Sequence, residues 1–251
     1  MTVAIDLNAD LGEDESPAGT ARDLAIMDIV SRCNIACGGH AGSPSSMRKM
    51  LAAAGAKGIA AGAHPSYPDR DGFGRTSMDM SLADLEASLT GQLHDIRMIA
   101  EDVDVPLTHL KPHGALYNDA QDDPALAGLL TEVAATANLA LVSMPGSLIE
   151  QMAAKRKVHF IAEAFIDRQY TSAGRLVPRN EAGAVIASEE DRIDQGLSLA
   201  KGTPLTARDG TKLLVKANSL CLHSDSTGAV ETARLMRQAL ERAGITVGVG
   251  G

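Results

Sequence analysis

Acidic, basic and imidazole side chains recur in short segments that each follow a predicted β-strand. Carboxylates and imidazoles are the side chains that most often transfer protons in enzymes. The strand ends of a parallel barrel form one rim, where active sites are found. The sequence therefore predicts one catalytic site at this rim, with four candidate catalytic residues: Asp10, His40, His64 and His113.

The first segment, DLNADLGED, runs from Asp6 to Asp14. Alternate residues of an extended chain share a face, so Asp6, Asn8 and Asp10 point the same way. Burying such side chains costs several kcal/mol unless they are paired, which favours a site in or above a barrel mouth. A solvated loop is a sufficient explanation of Glu13.

Two glycine-rich segments, NIACGGHAG and GAHPSYPDRDGFGR, carry His40 and His64. Glycine lets the backbone bend sharply and approach a ligand closely. A rigid polar loop of this kind often carries function. The alternative for the second loop is that its charges only pin its own backbone, through an ion pair between Asp69 and Arg75 or between Asp71 and Arg70.

Three later segments supply groups that can hold an anion beside a base. Pro112 favours an extended Lys111, which can then bind a carboxylate or phosphate. Carboxylates at a strand end beside arginines suggest an anion site with a general base, although a structural ion-pair network would give the same pattern. The candidate substrate-binding residues are Asn8, Arg70, Lys111, Glu163, Asp167, Arg168, His223 and Asp225.

A metal ion is a further interpretation of the acid and imidazole groups. Asp10, His40 and His64 could together bind a divalent ion if their strand ends converge, because a carboxylate with two imidazoles suits a catalytic ion. Spacing alone does not show convergence, so no metal ligand is predicted. The chain has no G-x-S-x-G elbow and no H-E-x-x-H motif, which disfavours serine hydrolases and zincins.

Alternating strands and helices must position these residues. Strands are predicted at 3–7, 33–37, 58–63, 107–110, 139–143, 158–165, 212–223 and 245–249, and helices at 23–30, 44–56, 81–100, 124–137, 147–155, 188–201 and 228–243. This order predicts an α/β protein with a parallel sheet. We expect one domain, 1–251, with a seven- or eight-stranded (β/α) barrel; an open doubly wound sheet is the alternative.

Composition narrows the function classes. The net charge of −9 disfavours nucleic acid and anionic membranes as partners. A small-molecule substrate is therefore the expected binding partner. Cys33, Cys37 and Cys221 form no disulfide framework, and the start of the chain shows no signal peptide, so we expect a soluble cytoplasmic protein. G-x-G-x-x-G and Walker A motifs are absent, so this chain is not expected to bind a nucleotide by itself.

Five of these segments, in order and over nearly the whole chain, resemble the LamB/YcsF family: DLNADLGED, NIACGGHAG, GAHPSYPDRDGFGR, LKPHGALYN and DRQYTSAGRLVPR. The resemblance implies a barrel related to those of polysaccharide deacetylases. It also implies a role with two partner subunits, B and C, in opening 5-oxoproline to glutamate at the expense of ATP. The partners would handle the phosphorylation.

The chain departs from the family pattern at Gly39, Thr76 and Ser224, where an aromatic residue, an arginine and a glycine are usual. One mechanism fits both the residue pattern and the family resemblance. In it, Lys111 or an arginine holds the substrate carboxylate, and His113, His40 or Asp10 deprotonates water. Two alternatives stay open. One is a stand-alone metal-dependent amidohydrolase or deacetylase, and the other is a lactam- or sugar-binding barrel without catalysis.

Overall fold

The computed structural model describes residues 4–226 and 228–249. In chain order its elements are β1 (Ala4–Leu11), α1 (Pro17–Met27), β2 (Arg32–Ala36), α2 (Pro44–Lys57), β3 (Ala60–His64), α3 (Leu82–Asp102), β4 (Leu107–Leu110), α4 (Gly114–Asp119), α5 (Pro124–Ala137), β5 (Ala140–Ser143), α6 (Leu148–Arg156), β6 (Phe160–Phe165), α7 (Glu189–Lys201), β7 (Leu205–Thr206), β8 (Lys212–Leu213), β9 (Ser219–His223), α8 (Ala229–Arg242) and β10 (Thr246–Val247).

Within these residues, seven parallel strands close into a barrel. β1 to β6 pair in sequence order, β6 pairs with β9, and β9 pairs back to β1 from Asp6 to Asp10. Helices follow the strands and bury their apolar faces against the outside of the barrel. The predicted barrel is therefore confirmed, and the open-sheet alternative is wrong.

Residues along β1 alternate between the two faces of the barrel wall. Leu7 belongs to the apolar core shared with the helices, whereas its neighbours Asp6 and Asn8 bond to polar side chains of other strands. Most barrels of this type fill their interior with branched apolar residues. Here the interior is a layer of buried polar groups, and this layer positions the site.

Several predicted element bounds are close to those observed. Ser43 and Ser81 cap α2 and α3, with hydroxyls that accept hydrogen bonds from the amides of Ser46 and Asp84. These are the bonds expected of an N-cap serine. The described helices include none with the length and apolar character needed to span a bilayer.

Other predictions need correction. The first helix begins at Pro17 rather than at residue 23, because Ser16 caps it and proline is well suited to a first helical position. The continuous extended segment 212–223 is wrong: β8 pairs antiparallel with β7, and β9 begins only at Ser219. Helix α4 was not predicted. Val3, the predicted start of the first strand, lies outside the described residues.

Candidate active site at the barrel mouth

Polar side chains fill the barrel interior in two tiers. The lower layer consists of Asp6, Asn8, Arg32, Asn34, His109 and Ser219. Above it, at the carboxyl ends of the strands, lie the mouth cluster (Glu13, His40, His64 and His113) and the rim dyad (Asp167 and His223). Asp10, Lys111 and Glu163 form a charged bridge between the tiers.

The lower layer is a closed hydrogen-bonded network. Arg32 Nε donates to Asp6 Oδ2 at 2.6 Å, and Ser219 Oγ donates to the same oxygen at 2.7 Å. Asn8 donates to Ser219 Oγ and accepts from Asn34, both at 2.8 Å. None of these side chains has a buried polar atom without a partner. The cost of burying them is therefore offset within the protein.

His109 joins the lower layer from β4. Its Nε2 lies 2.8 Å from Asn34 Oδ1, and since an amide oxygen only accepts, Nε2 carries the proton. Its Nδ1 then accepts from Arg32 Nη1 at 3.0 Å. Gly62 makes room for this ring, because a Cβ at that position would lie 2.2 Å from His109 Nε2.

The charged bridge is fully buried. Lys111 Nζ lies 2.8 Å from Asp10 Oδ1 and 2.8 Å from Glu163 Oε1. Burial opposes ionisation of both Asp10 and Lys111. Even so, His64 and Lys111 hold the pKa of Asp10 well below its usual range, and Asp10, Cys221 and Glu163 hold the pKa of Lys111 well above its own. Asp10 is thus a fixed carboxylate rather than a base that titrates near neutral pH.

The mouth cluster gathers three imidazoles around one carboxylate. Glu13 Oε1 lies 3.1 Å from His40 Nε2, 3.3 Å from His113 Nδ1 and 4.0 Å from His64 Nε2. The rings of His40 and His113 stack with centroids 3.6 Å apart. Burial lowers the pKa of both His40 and His113, so both rings are neutral at pH 7. Neutral imidazoles with a carboxylate are a donor set that can hold a divalent metal ion.

Strand ends and loops position the mouth cluster. His64 ends β3, and His113 follows β4. Phe73 adopts a left-handed backbone conformation (φ 55°), which is unusual for a bulky residue, and its carbonyl accepts from His113 Nε2 at 3.0 Å. The strained loop thereby fixes the orientation of His113.

Glu13 is the residue of this cluster that the sequence analysis missed. Gly12 (φ 78°) turns the chain at the end of β1, and its amide donates to Asp23 Oδ2 at 2.8 Å. This turn carries Glu13 back over the barrel mouth instead of into solvent. Position was the available signal: Glu13 follows the same strand end as Asp10 by three residues, beyond a glycine suited to a turn.

The rim dyad faces the mouth cluster from the other side of the barrel. Asp167 Oδ2 lies 2.8 Å from His223 Nδ1, so a neutral His223 donates from Nδ1 and keeps the lone pair on Nε2. Burial opposes ionisation of Asp167, but His223, with Arg179 and Arg168, lowers its pKa below the usual value. A carboxylate that orients a histidine in this way is the usual support of a general base.

A cavity of about 380 Å³ opens at the mouth, lined by Glu13, Asp14, Arg22, Phe73, Arg75 and Asp225. Asp225 Oδ2 lies 2.7 Å from Arg75 Nη2 and 3.7 Å from Arg179 Nη1. This volume is sufficient for a small metabolite. Guanidinium groups here can hold a carboxylate or phosphate in two-point contact.

Two candidate substrate-binding arginines make other contacts. Arg70 Nη1 donates to the carbonyls of Gly38 and Gly42, and Arg168 donates to the carbonyls of Val177 and Ala184. Both guanidinium groups pin loop backbone. The alternative ion pairs within GAHPSYPDRDGFGR, Asp69–Arg75 and Asp71–Arg70, are not formed. Arg75 pairs with Asp225 instead, and Asp69 accepts from the amide of Gly72.

Two departures from the family pattern have structural counterparts. A Cβ on Gly39 would lie 2.4 Å from Gln92 Oε1, so Gln92 fills the space that a side chain at 39 would need. Ser224 is buried, and it lies near Asp23, whose carboxylate accepts from the amide of Gly12. The structure gives no reason for Thr76.

Comparison with known proteins relates the chain to one family along nearly its whole length. The family model for LamB/YcsF matches residues 5–249. A 5-oxoprolinase A subunit, numbered 3, from Pseudomonas syringae pv. tomato is 41% identical over 96% of this chain and 94% of its own. The 5-oxoprolinase A subunit of Streptomyces avermitilis is 39% identical over 97% and 98%. A lactam utilization protein from Thermus thermophilus superimposes with a TM-score of 0.89 at 36% identity, covering 98% of this chain and 100% of that one.

Proposed function

The chain belongs to the LamB/YcsF family, and we propose that it is the A subunit of a 5-oxoprolinase, which opens the cyclic amide of 5-oxoproline to give glutamate. The observation that carries this proposal is the match of about 40% identity, along nearly the whole length of both chains, to relatives with that name. Neither alternative, the stand-alone amidohydrolase or the non-catalytic binding barrel, gains support from those relatives.

We propose further that the reaction uses ATP and two partner subunits, B and C. The relatives' names, which describe one component of a larger enzyme, support an assembly. A lactam carbonyl is a poor electrophile, and phosphorylation of its oxygen would activate it. The sequence has no Walker A motif, so the partners would supply the activated lactam. The three cysteines are buried and unpaired, which supports a reducing compartment such as the cytoplasm.

The chemistry then requires two additions of water. The first water attacks the ring carbon that bears the phosphate and gives up a proton to a base. The ring nitrogen takes up a proton as the carbon–nitrogen bond breaks, which leaves an acyl phosphate and a free amine. The second water releases phosphate and leaves the γ-carboxylate of glutamate. The site must therefore hold two anionic groups, the substrate carboxylate and the phosphate. It must also transfer protons to and from the oxygen and nitrogen atoms bonded to one carbon.

The rim dyad suits the base. Asp167 fixes the Nδ1 proton of His223, so Nε2 is free to accept a proton from water. Arg75 and Arg179, which share Asp225 beside the cavity, suit the substrate carboxylate and phosphate. Lys111 neutralises Asp10 and Glu163 and keeps the floor of the site compact.

Glutamate release from 5-oxoproline tests this proposal. We expect release by the purified chain with ATP and both partners, and none when any of these is left out. Asp167→Asn should lower release by about 10²–10⁴-fold, because it changes the tautomer that His223 adopts. Release by the chain alone without ATP would contradict the proposed role in an assembly. An unchanged rate in Asp167→Asn, with partners bound, would contradict the assignment of the base.

A further inference from the structure

When the imidazoles of the mouth cluster are neutral, two of their ring nitrogens face each other without a proton between them. His64 Nδ1 lies 2.8 Å from the carbonyl oxygen of Lys111, and His113 Nε2 lies 3.0 Å from the carbonyl oxygen of Phe73. A carbonyl oxygen only accepts hydrogen bonds, so these two nitrogens carry the ring protons. In the neutral rings, the lone pairs of His64 Nε2 and His113 Nδ1 therefore point at each other across 3.0 Å.

Further acceptors converge on the same point. Glu13 Oε1 lies 3.3 Å from His113 Nδ1 and 3.1 Å from His40 Nε2, and Asp10 Oδ2 lies 3.4 Å from His64 Nε2. Among the described residues, no lysine or arginine pairs with Glu13. His40 Nε2 can donate to Glu13, but one proton shared between His64 Nε2 and His113 Nδ1 cannot satisfy the Glu13 and Asp10 oxygens beside them as well. The group as a whole is complementary to a cation.

We propose that Glu13, His64 and His113, with His40 as fourth donor, bind one divalent transition-metal ion of the Zn²⁺ class. Two ligands about 2.0–2.1 Å from a tetrahedral ion lie about 3.3–3.4 Å apart. The donor separations of 3.0, 3.1, 3.3 and 4.0 Å bracket that value. Three imidazoles favour a borderline ion over Mg²⁺, which prefers oxygen ligands.

The contacts beyond the donors are also those of a metal site. Metal-binding histidines usually donate their second ring nitrogen to a carbonyl or carboxylate, which fixes the tautomer and the ring orientation. His64 and His113 both do so through backbone carbonyls. His40 Nδ1 is buried without a partner, so this ring has no second hydrogen bond to hold it. For this reason His40 is the weakest of the four donors.

A second group of potential ligands provides an internal contrast. Asp10, Cys221 and His223 also bring their donor atoms within 4.8 Å of one another. There, however, the ammonium of Lys111 lies 2.8 Å from Asp10 Oδ1 and 3.2 Å from Cys221 Sγ. That group already holds its cation, and only the mouth cluster needs one from solution.

An ion in the mouth cluster would border the cavity that Glu13 and Phe73 line. A bound divalent ion lowers the pKa of its water ligand and polarises an adjacent oxygen. Use of the ion in ring opening rests on the proposed function, whereas its binding does not. The two can therefore fail separately.

The test is metal binding by the purified chain after removal of metals with a chelator. Zn²⁺ is titrated by calorimetry, and Co²⁺ is used as a visible-absorption probe of the coordination. We expect one equivalent of either ion, with cobalt bands typical of four or five ligands including nitrogen. Millimolar Mg²⁺ should not compete. Removal of a residue that hydrogen-bonds to a metal ligand typically lowers the metal affinity about 10–100-fold. Removal of a ligand itself, in His64→Ala or His113→Ala, should lower the metal affinity by at least that factor.

Two exposed histidines outside the cluster provide matched controls. His94→Ala and His159→Ala should bind both ions as the unaltered chain does. Glu13→Gln, which keeps the size of the side chain, should weaken binding even if a histidine variant does not fold. Absence of saturable binding, or equal affinity in Glu13→Gln and the unaltered chain, would overturn the inference. Glutamate release by a chain that binds no metal would overturn it while sparing the proposed function.

Discussion

The lower layer and the mouth of this barrel contain the same kinds of residue but differ in how completely those residues are hydrogen-bonded. Both hold buried aspartate and histidine side chains. In the lower layer, every buried polar side-chain atom has a partner. At the mouth, His40 Nδ1 and Asp167 Oδ1 have none, and in the charged bridge the Glu163 carboxylate accepts no well-oriented hydrogen bond despite its ion pair with Lys111. Incomplete hydrogen bonding, rather than burial alone, therefore distinguishes the proposed reactive site from the layer that supports it.

Two carboxylates, Asp6 in the lower layer and Asp23 behind the Gly12 turn, show the same difference in bonding. Asp6 is 2% exposed and accepts from Arg32, Ser31 and Ser219. Asp23 is 1% exposed, accepts from the amide of Gly12, and keeps Oδ1 without a hydrogen bond. Burial of Asp6 is offset by its partners, whereas burial raises the pKa of Asp23 to about 6.

The largest effect is expected from breaking the lower layer. Arg32→Met removes the charge that pairs with Asp6 and the donor to His109 Nδ1. Loss of one partner of a buried ion pair costs about 3–5 kcal/mol, because the other charge stays buried. The free energy of unfolding from urea denaturation should fall by that amount. A loss below about 1 kcal/mol would show that the network is dispensable.

A double variant separates the cost of an unpaired charge from the cost of repacking. In Asp6→Leu with Arg32→Met, no charge is left buried alone. Apolar replacement of a whole buried pair is often neutral or stabilising, so the double variant should be more stable than Arg32→Met. If it is less stable, the layer contributes more through shape than through charge compensation.

The unsatisfied carboxylate of Asp23 should appear in the pH dependence of stability. Because the folded state holds this proton more tightly, its contribution is greatest below the ordinary pKa of 3.8 and is lost as the pH rises through about 6. At about 1.4 kcal/mol per pKa unit, the loss is on the order of 3 kcal/mol.

Asp23→Asn keeps an acceptor for the Gly12 amide and removes the titration. Relative to the unaltered chain, the variant should gain stability between pH 4 and pH 7 and change little above that range. Chemical denaturation at several pH values measures this difference. Parallel curves for the two proteins would mean that Asp23 does not titrate in this window.

A smaller effect is expected where the backbone makes room for the lower layer. Gly62→Ala would bring a Cβ within 2.2 Å of His109 Nε2 and displace that ring. Overpacking of a buried site typically costs about 1–3 kcal/mol. Ala63→Gly on the same strand is the matched control for a change of one methyl group at a position that faces the helices. An unchanged midpoint in Gly62→Ala would show that His109 can move freely.

Much of the fold could be predicted from the sequence because its signals are local. Strand and helix periodicity, serine caps such as Ser43 and Ser81, and the absence of nucleotide motifs were enough for a parallel barrel. The short β7–β8 hairpin escaped notice because two-residue strands have no periodicity to detect.

The site was less predictable because its contacts join distant parts of the chain. Nothing local distinguishes Arg75 and Arg179, which meet at Asp225, from Arg70 and Arg168, which bind backbone carbonyls. Glu13 has the composition of a solvated loop until the Gly12 turn is known. Which imidazoles meet depends on closure of the barrel, and the sequence does not encode that in spacing.

The most direct test of the division between a supporting layer and a reactive mouth measures two quantities on the same variants. Glutamate release by the reconstituted complex and the free energy of unfolding of the chain are compared for His223→Ala and Arg32→Met. We expect His223→Ala to lose at least about 100-fold in rate but less stability than Arg32→Met, because Arg179 and Arg168 still lie near the Asp167 carboxylate. Arg32→Met should lose stability first and retain most of its rate per folded molecule. A His223→Ala protein with full activity, or one that unfolds as readily as Arg32→Met, would contradict the account.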